Sequence, residues 1–153
     1  MLKTHSLRAT LIFSMISLLS FASERSLTGG LTEDVLKYTN QFRKSKGLKP
    51  LEMRDDLNTI ARKHSEAMAS GRCSFGHDGY NGRVSKVKKM IKPCDGYVGE
   101  NVAYGAQNGK EACDIWKNSS GHRKNMLGDY KYIGIGTARN RRGTIYYTQI
   151  FVR

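Results

Sequence analysis

Near the C-terminus, the segments YIGIGTA (132–138) and TIYYTQIFV (144–152) are dense in β-branched and aromatic residues and are separated only by RNRRG. A short glycine-containing connection between two such runs predicts a β-hairpin. Upstream segments follow a helical period instead. Leu31, Val35, Tyr38 and Phe42 recur at helical spacing. Thr32 is the expected N-cap, Glu33 and Asp34 suit the first turn, and Gly47 and Pro50 are the stop signals. A second helix is expected after Asp55 or Asp56, with Leu57, Ile60, Ala61, His64 and Met68 on one stripe and Gly71 at its end. His64 therefore belongs to an inner face and reads as a packed ring.

Residues 74–82, SFGHDGYNG, are too rich in glycine, Asp and Asn for regular structure and read as a loop. A short helix from about Arg83 to Met90 would turn Val84, Val87 and Ile91 inward and stop at Pro93. From about Lys110 another helix sets Ala112, Ile115 and Trp116 on a common face and continues irregularly toward His122. No repeat and no linker divides the chain. Helices followed by a closing hairpin imply a single layered α+β domain.

The N-terminus carries Lys3 and Arg8 and then ATLIFSMISLLSFA (9–22), ending in the small-x-small sequence Ser20-Phe21-Ala22. It is shorter than the roughly 20 apolar residues that span a bilayer, and it reads as an export signal over residues 1–22, cleaved after Ala22, with no transmembrane anchor. The full chain of 153 residues has 26 Lys and Arg against 13 Asp and Glu, a formal net charge of +13. Loss of Lys3 and Arg8 with the leader leaves 24 against 13, or +11. That excess favours anionic partners, whether acidic lipid, cell-wall polymer or polysaccharide. The basic runs RVSKVKKMIK (83–92) and RNRR (139–142) lack interleaved aromatics, so no specific nucleic-acid partner is expected. Cys73, Cys94 and Cys113 would enter a compartment that permits disulfides, with one pair and one leftover thiol open in three ways. Asp114 beside Cys113 argues against a reactive thiol there.

Glu100 lies in VGENVAYG among small and apolar residues, where a carboxylate needs a cation, a donor or a metal. His77 in GHDG and His122 in SGHRKN stand in glycine-flanked contexts. Two histidines and a carboxylate are a ligand set for zinc with an open position, although no short ligand pair is present. Local hydrogen bonding of each histidine and pairing of Glu100 with one of the many cations is the simpler alternative. A hydrolase would use His122 as general base, but Ser119 and Ser120 lack a nucleophile elbow.

Taken together, HSEAMASG (64–71), GHDG (76–79), GENVAYG (99–105), WKNSSGHRKNML (116–127), IGIG (133–136) and YYTQIF (146–151) resemble the CAP superfamily in its compact bacterial form. That superfamily comprises the cysteine-rich secretory proteins, antigen 5 and the plant pathogenesis-related class 1 proteins, and its domain is also called the sperm-coating-protein domain. The resemblance implies a three-layer α-β-α sandwich over residues 31–153; with the leader the protein is expected to be secreted, and a monomer is expected. It implies a cleft formed by His77, Glu100 and His122, with Glu100 holding the His122 ring and the set taking zinc or another divalent metal. Asn101, Trp116, Ser120 and Gln149 fall in the same motifs and are implied as ligand-contacting positions. The family's fourth cleft acid has no clear match, Asp78 and Asp95 being the acids in that interval. Family activities include sterol or lipid binding and membrane association, and a metal-assisted hydrolase is the rival reading.

Overall fold

The computed structural model describes residues 30–92 and 96–153; the expected export signal, Pro93, Cys94 and Asp95 lie outside the described residues. In chain order the elements are α1 (30–44), β1 (Glu52–Met53), α2 (Asp55–Ala69), α3 (Tyr80–Met90), β2 (Val98–Tyr104), α4 (Gly109–Asn118), α5 (Ser120–Met126), β3 (Tyr132–Arg139) and β4 (Ile145–Val152). The strands form one sheet in the order β1-β3-β4-β2. β3 and β4 are the expected hairpin, β2 joins β4 antiparallel, and β1 joins β3 parallel. Helices cover both faces, so the fold is the α+β sandwich that the chain's pattern implied.

The register of β2 on β4, with Glu100 opposite Ile150 and Asn101 opposite Gln149, decides which residues share a face. On one face Ile150 and Val152 pack with Leu57, Ile60, Ala61, Val87 and Ile91 of α2 and α3. On the other, Ile133, Ile135, Tyr147 and Phe151 pack with Val35 of α1, Cys113 and Trp116 of α4, and Met126 of α5. Gly134 and Gly136 of β3 let α2 sit directly on the sheet. A Cβ at Gly136 would lie 2.0 Å from the backbone nitrogen of Arg62, and one at Gly134 would lie 2.4 Å from the backbone of Leu57. Ser65 of α2 fastens the contact by donating to the Gly136 carbonyl at 2.9 Å.

The outer edge of β2 is closed by side chains. Tyr80 of α3 donates to the Val98 carbonyl at 2.5 Å, Asn125 of α5 to that of Glu100 at 3.0 Å, and the Trp116 indole to that of Val102 at 3.0 Å. These three edge carbonyls, which would otherwise invite another strand, thus have donors. Arg43 at the end of α1 is 2% exposed and donates to the carbonyls of Lys49, Met126 and Gly128, tying α1 to the end of α5.

Several local expectations are corrected. Thr32 lies inside α1 and is not its cap. Ile115 is 44% exposed, and Cys113 takes the inward place beside Ala112 and Trp116. α3 begins at Tyr80, three residues before the expected start, because Gly79 adopts a left-handed φ of 75° that turns the loop directly into the helix. The irregular continuation expected toward His122 is met by a break at Ser119, whose extended backbone separates α4 from α5. Cys73 and Cys113 are free thiols, so the pairing between those two is not formed.

Gly136→Ala should destabilise the domain by about 3 kcal/mol, because α2 must move off the sheet to admit the methyl group. Urea unfolding of the two proteins measures it, and a loss below about 1 kcal/mol would show that the helix yields easily.

Candidate functional site

Glu100 shares a face of β2 with Val98 and Val102, toward the α2 and α3 layer, and is 6% exposed. A carboxylate held there requires a compensating charge. Arg83, in the first turn of α3, supplies it as a fork: Nε donates to Oε2 at 2.6 Å and Nη2 to Oε1 at 2.7 Å. The same guanidinium donates through Nη1 to the Asp78 carbonyl at 2.7 Å, so it also clamps the loop that carries His77. His77 then reaches Oε1 of Glu100 through Nδ1 at 2.9 Å. Both oxygens of Glu100 accept from the fork, so the Nδ1 of His77 is the donor to Oε1, and in the neutral ring Nε2 is then the acceptor.

His64 projects from α2 toward the same acid, with Nε2 4.0 Å from Oε1, yet it donates to the Gly76 carbonyl at 2.8 Å. It is the packed ring expected from its stripe, and its bond anchors the loop one residue before His77. Burial lowers its pKa and outweighs the Gly76 hydrogen bond and Glu100, which raise it. His122, on α5, is partly buried, and its Nδ1 is buried with no hydrogen-bond partner. Burial also lowers its pKa, and a charge on His77 would lower it further. Glu100 therefore orients the ring of His77, whereas the resemblance had it hold that of His122.

Among the described residues no group of three or more His, Cys, Asp and Glu side chains is gathered as for a metal ion. Asn101, Trp116 and Gln149 are fully buried. Asn101 donates to Gln149 Oε1 at 3.1 Å and to the His122 carbonyl at 3.2 Å, and it accepts from Asn125 at 2.9 Å. Gln149 donates to Thr39 at 2.8 Å. These side chains hold the core together and present nothing to a ligand at the surface; Ser120 is exposed at the start of α5. Burial pushes the Cys113 thiol up to about 11, which removes it as a nucleophile. Asp78 is exposed, and only its carbonyl enters the site, through Arg83.

Arg83 is a site residue that the sequence pattern placed only in the basic run 83–92. The available signal was its position four residues before Val87, on the inward stripe of α3.

The model of the cysteine-rich secretory protein family, CAP, matches residues 36–151. The chain belongs to the CAP family. It is 35% identical over 129 residues to the uncharacterized membrane protein YlbC of Bacillus subtilis, covering 79% of this chain and 34% of that protein. It is 33% identical over 132 residues to the uncharacterized protein YkwD of the same organism, covering 85% of this chain and 50% of that protein. The chain thus spans between about a third and a half of these relatives' lengths. Among solved structures, an extracellular protein of Bacillus anthracis containing an SCP domain superposes with a TM-score of 0.73 at 27% identity, over 85% of this chain and 42% of that one. A cysteine-rich secretory protein of Staphylococcus aureus gives 0.65 at 28% identity, over 82% of this chain and 38% of that one.

In this CAP domain the Arg83–Glu100 pair is buried, so removing one partner strands the other. Arg83→Met should lose about 3–5 kcal/mol, and adding Glu100→Gln should restore part of that loss, as read from urea unfolding. An Arg83→Met protein as stable as the parent would show the pair to be incidental. Because His64 binds its proton more weakly folded than unfolded, its contribution to stability is complete above the ordinary histidine pKa of about 6.5 and falls as pH drops below it. The melting temperature of the parent should decline from pH 7 to pH 5, with a shallower slope in His64→Gln; equal slopes would refute the assignment.

Proposed function

We propose that this CAP domain works outside the cell as a binding module whose cleft takes a transition-metal ion, zinc above all, through the imidazoles of His77 and His122. The observations that carry the reading are the buried, partnerless Nδ1 of His122 and a second imidazole, His77, whose Nδ1 is engaged by Glu100 so that its other ring nitrogen can face a ligand. A buried ring nitrogen without a partner is costly unless something fills that role, and neutral imidazole suits zinc, copper and nickel. Glu100 does not fit as a direct ligand, since both of its oxygens are taken by the Arg83 fork and His77. It fits as the carboxylate behind the histidine, fixing tautomer and ring direction. When bound, the metal would act as an electrophilic anchor for an anionic or carbonyl-bearing ligand.

Binding is favoured over turnover. A hydrolase of this kind needs a carboxylate free to move protons, and both oxygens of Glu100 are already engaged by Arg83 and His77. Export is supported by the apolar leader followed by Ala22, and the similar Bacillus anthracis protein is described as extracellular.

Titration of purified protein with zinc by calorimetry tests the reading. The parent should take up one ion, His77→Ala and His122→Ala should each abolish uptake at matched concentration, and Glu100→Gln should weaken it by about 10–100-fold. A parent that takes up no zinc, or histidine variants that bind like the parent, would overturn it.

A further inference from the structure

Phe75, Tyr104 and Tyr146 form one aromatic patch at the hairpin end of the sheet. Tyr104 stands opposite Tyr146 in the β2–β4 register, and their rings lie 5.7 Å apart with 20° between the planes. Phe75 meets Tyr104 edge to face at 4.7 Å and Tyr146 at 6.5 Å. Phe75 is 48% exposed, Tyr104 is 54% exposed, and Tyr146 is half-buried. Large rings that gather at the surface and stay open to water mark a contact surface. Tyr104 falls on the face of β2 that carries Glu100, four residues or about 13 Å further along the strand. Phe75 is two residues before His77, in the loop that His64 anchors at Gly76. The patch therefore adjoins the cleft without sharing a residue with it.

Two properties narrow what the patch can hold. The first is its openness: a ligand lying on rings this exposed keeps its outer side in water. A sterol or acyl chain would leave apolar surface wet there. It would also offer nothing to the hydroxyls of Tyr104 and Tyr146, neither of which has a hydrogen-bond partner among the described residues. A sugar ring meets both conditions, because its C–H face covers an aromatic ring while its hydroxyl rim stays with water and the phenols. The second property is charge. Residues 67–77, 101–110 and 130–153, which supply the three rings, contain no Asp or Glu. Arg72 lies three residues before Phe75, Arg141 and Arg142 occupy the turn that leads into Tyr146, and all three are exposed. Arg72 gives one donor to Ser70, and among the described residues no carboxylate pairs with any of the three. A guanidinium matches a carboxylate through its planar fork. Nucleobases also stack on aromatic rings, but centroids 4.7–6.5 Å apart leave no slot of about 7 Å, twice a van der Waals contact, for a base to enter between two of these.

We infer that the Phe75–Tyr104–Tyr146 patch, with Arg72, Arg141 and Arg142 near it in the chain, binds an acidic polysaccharide through its sugar rings and carboxylates. Net charge alone leaves the anion open, and the rings select a sugar. This binding does not rest on the cleft taking a metal.

Calorimetric titration with oligogalacturonate in the presence of EDTA tests the inference, with polyglutamate, a neutral malto-oligosaccharide and oligothymidylate as comparison arms. The parent should bind oligogalacturonate more tightly than polyglutamate of equal charge, and the malto-oligosaccharide more weakly than either. Phe75→Ser with Tyr104→Ser should lower oligogalacturonate affinity about tenfold at constant charge and leave polyglutamate binding unchanged. Arg141→Gln with Arg142→Gln should also weaken oligogalacturonate binding. All four side chains are exposed, and an unchanged melting temperature verifies each fold. Tyr104→Ser alone, which should weaken binding in the same direction, replaces the double ring variant if that melts early. Polyglutamate binding as tight as oligogalacturonate binding, or oligogalacturonate binding indifferent to the ring changes, would overturn the inference. So would oligothymidylate binding that is tighter and equally sensitive to those changes, since that identifies a nucleic acid as the partner.

Discussion

The fork from Arg83 onto Glu100 is the interaction on which the site depends. A carboxylate that is 6% exposed on a sheet loses most of its hydration, and a single imidazole would not compensate it. Arg83 offsets that cost with two charge-assisted bonds at 2.6 and 2.7 Å, and its remaining donors bind the carbonyls of Asp78 and His77. One guanidinium therefore joins β2, α3 and the loop between α2 and α3. The fork fixes the direction in which the Glu100 carboxylate points, and the carboxylate in turn takes the hydrogen bond from Nδ1 of His77. His64 secures the same loop from the other side through Gly76. Rigidity in a loop with three glycines thus comes from tertiary bonds, since its backbone preferences alone would leave it loose.

The sheet makes this arrangement affordable in space. β3 contributes Gly134 and Gly136 exactly where α2 crosses, and the approach of that helix brings His64 within 4.0 Å of Glu100. β2 is an edge strand, so helices can come around it from both layers: Tyr80 of α3, Asn125 of α5 and Trp116 of α4 all reach its outer carbonyls. His122 rides on α5, which Asn125 pins to that edge. An edge strand sealed by side chains lets residues from opposite layers of the sandwich meet, which a central strand would keep apart.

Much of this was legible in the sequence where one period dominated. The stripe Leu57, Ile60, Ala61, His64 and Met68 is the buried face of α2, and the closing hairpin falls where β-branched residues alternate with turn formers. β2 was not legible as a strand, because VGENVAY is buried on both sides and shows no alternation, its small residues and acid instead answering to helices above and below. The same burial explains Glu100: its need for a partner could be read, but the choice among the many cations was settled only by the packing of α3. Ile115 was misplaced because apolar character was read as inward direction, whereas Cys113 fills that direction with less volume beside Trp116. Asn101 and Gln149 were legible as part of a motif, but not as core residues, since polar side chains carry no signal of burial without their partners.

Those two amides bear on the site from the opposite face of the sheet. Asn101 and Gln149 are direct neighbours across β2 and β4, bonded at 3.1 Å, and their other groups are satisfied by Thr39, Asn125 and the His122 carbonyl. A slip of β2 by one residue would turn Asn101 toward α2 and α3 and put Glu100 into the apolar layer around Trp116 and Phe151, with no cation to meet it. The buried amides would lose their partners in the same step. The polar network thus fixes the register from the face that carries no chemistry. It also holds the His122 backbone, so one set of bonds determines both which residue of β2 faces Arg83 and where the second imidazole stands relative to the first.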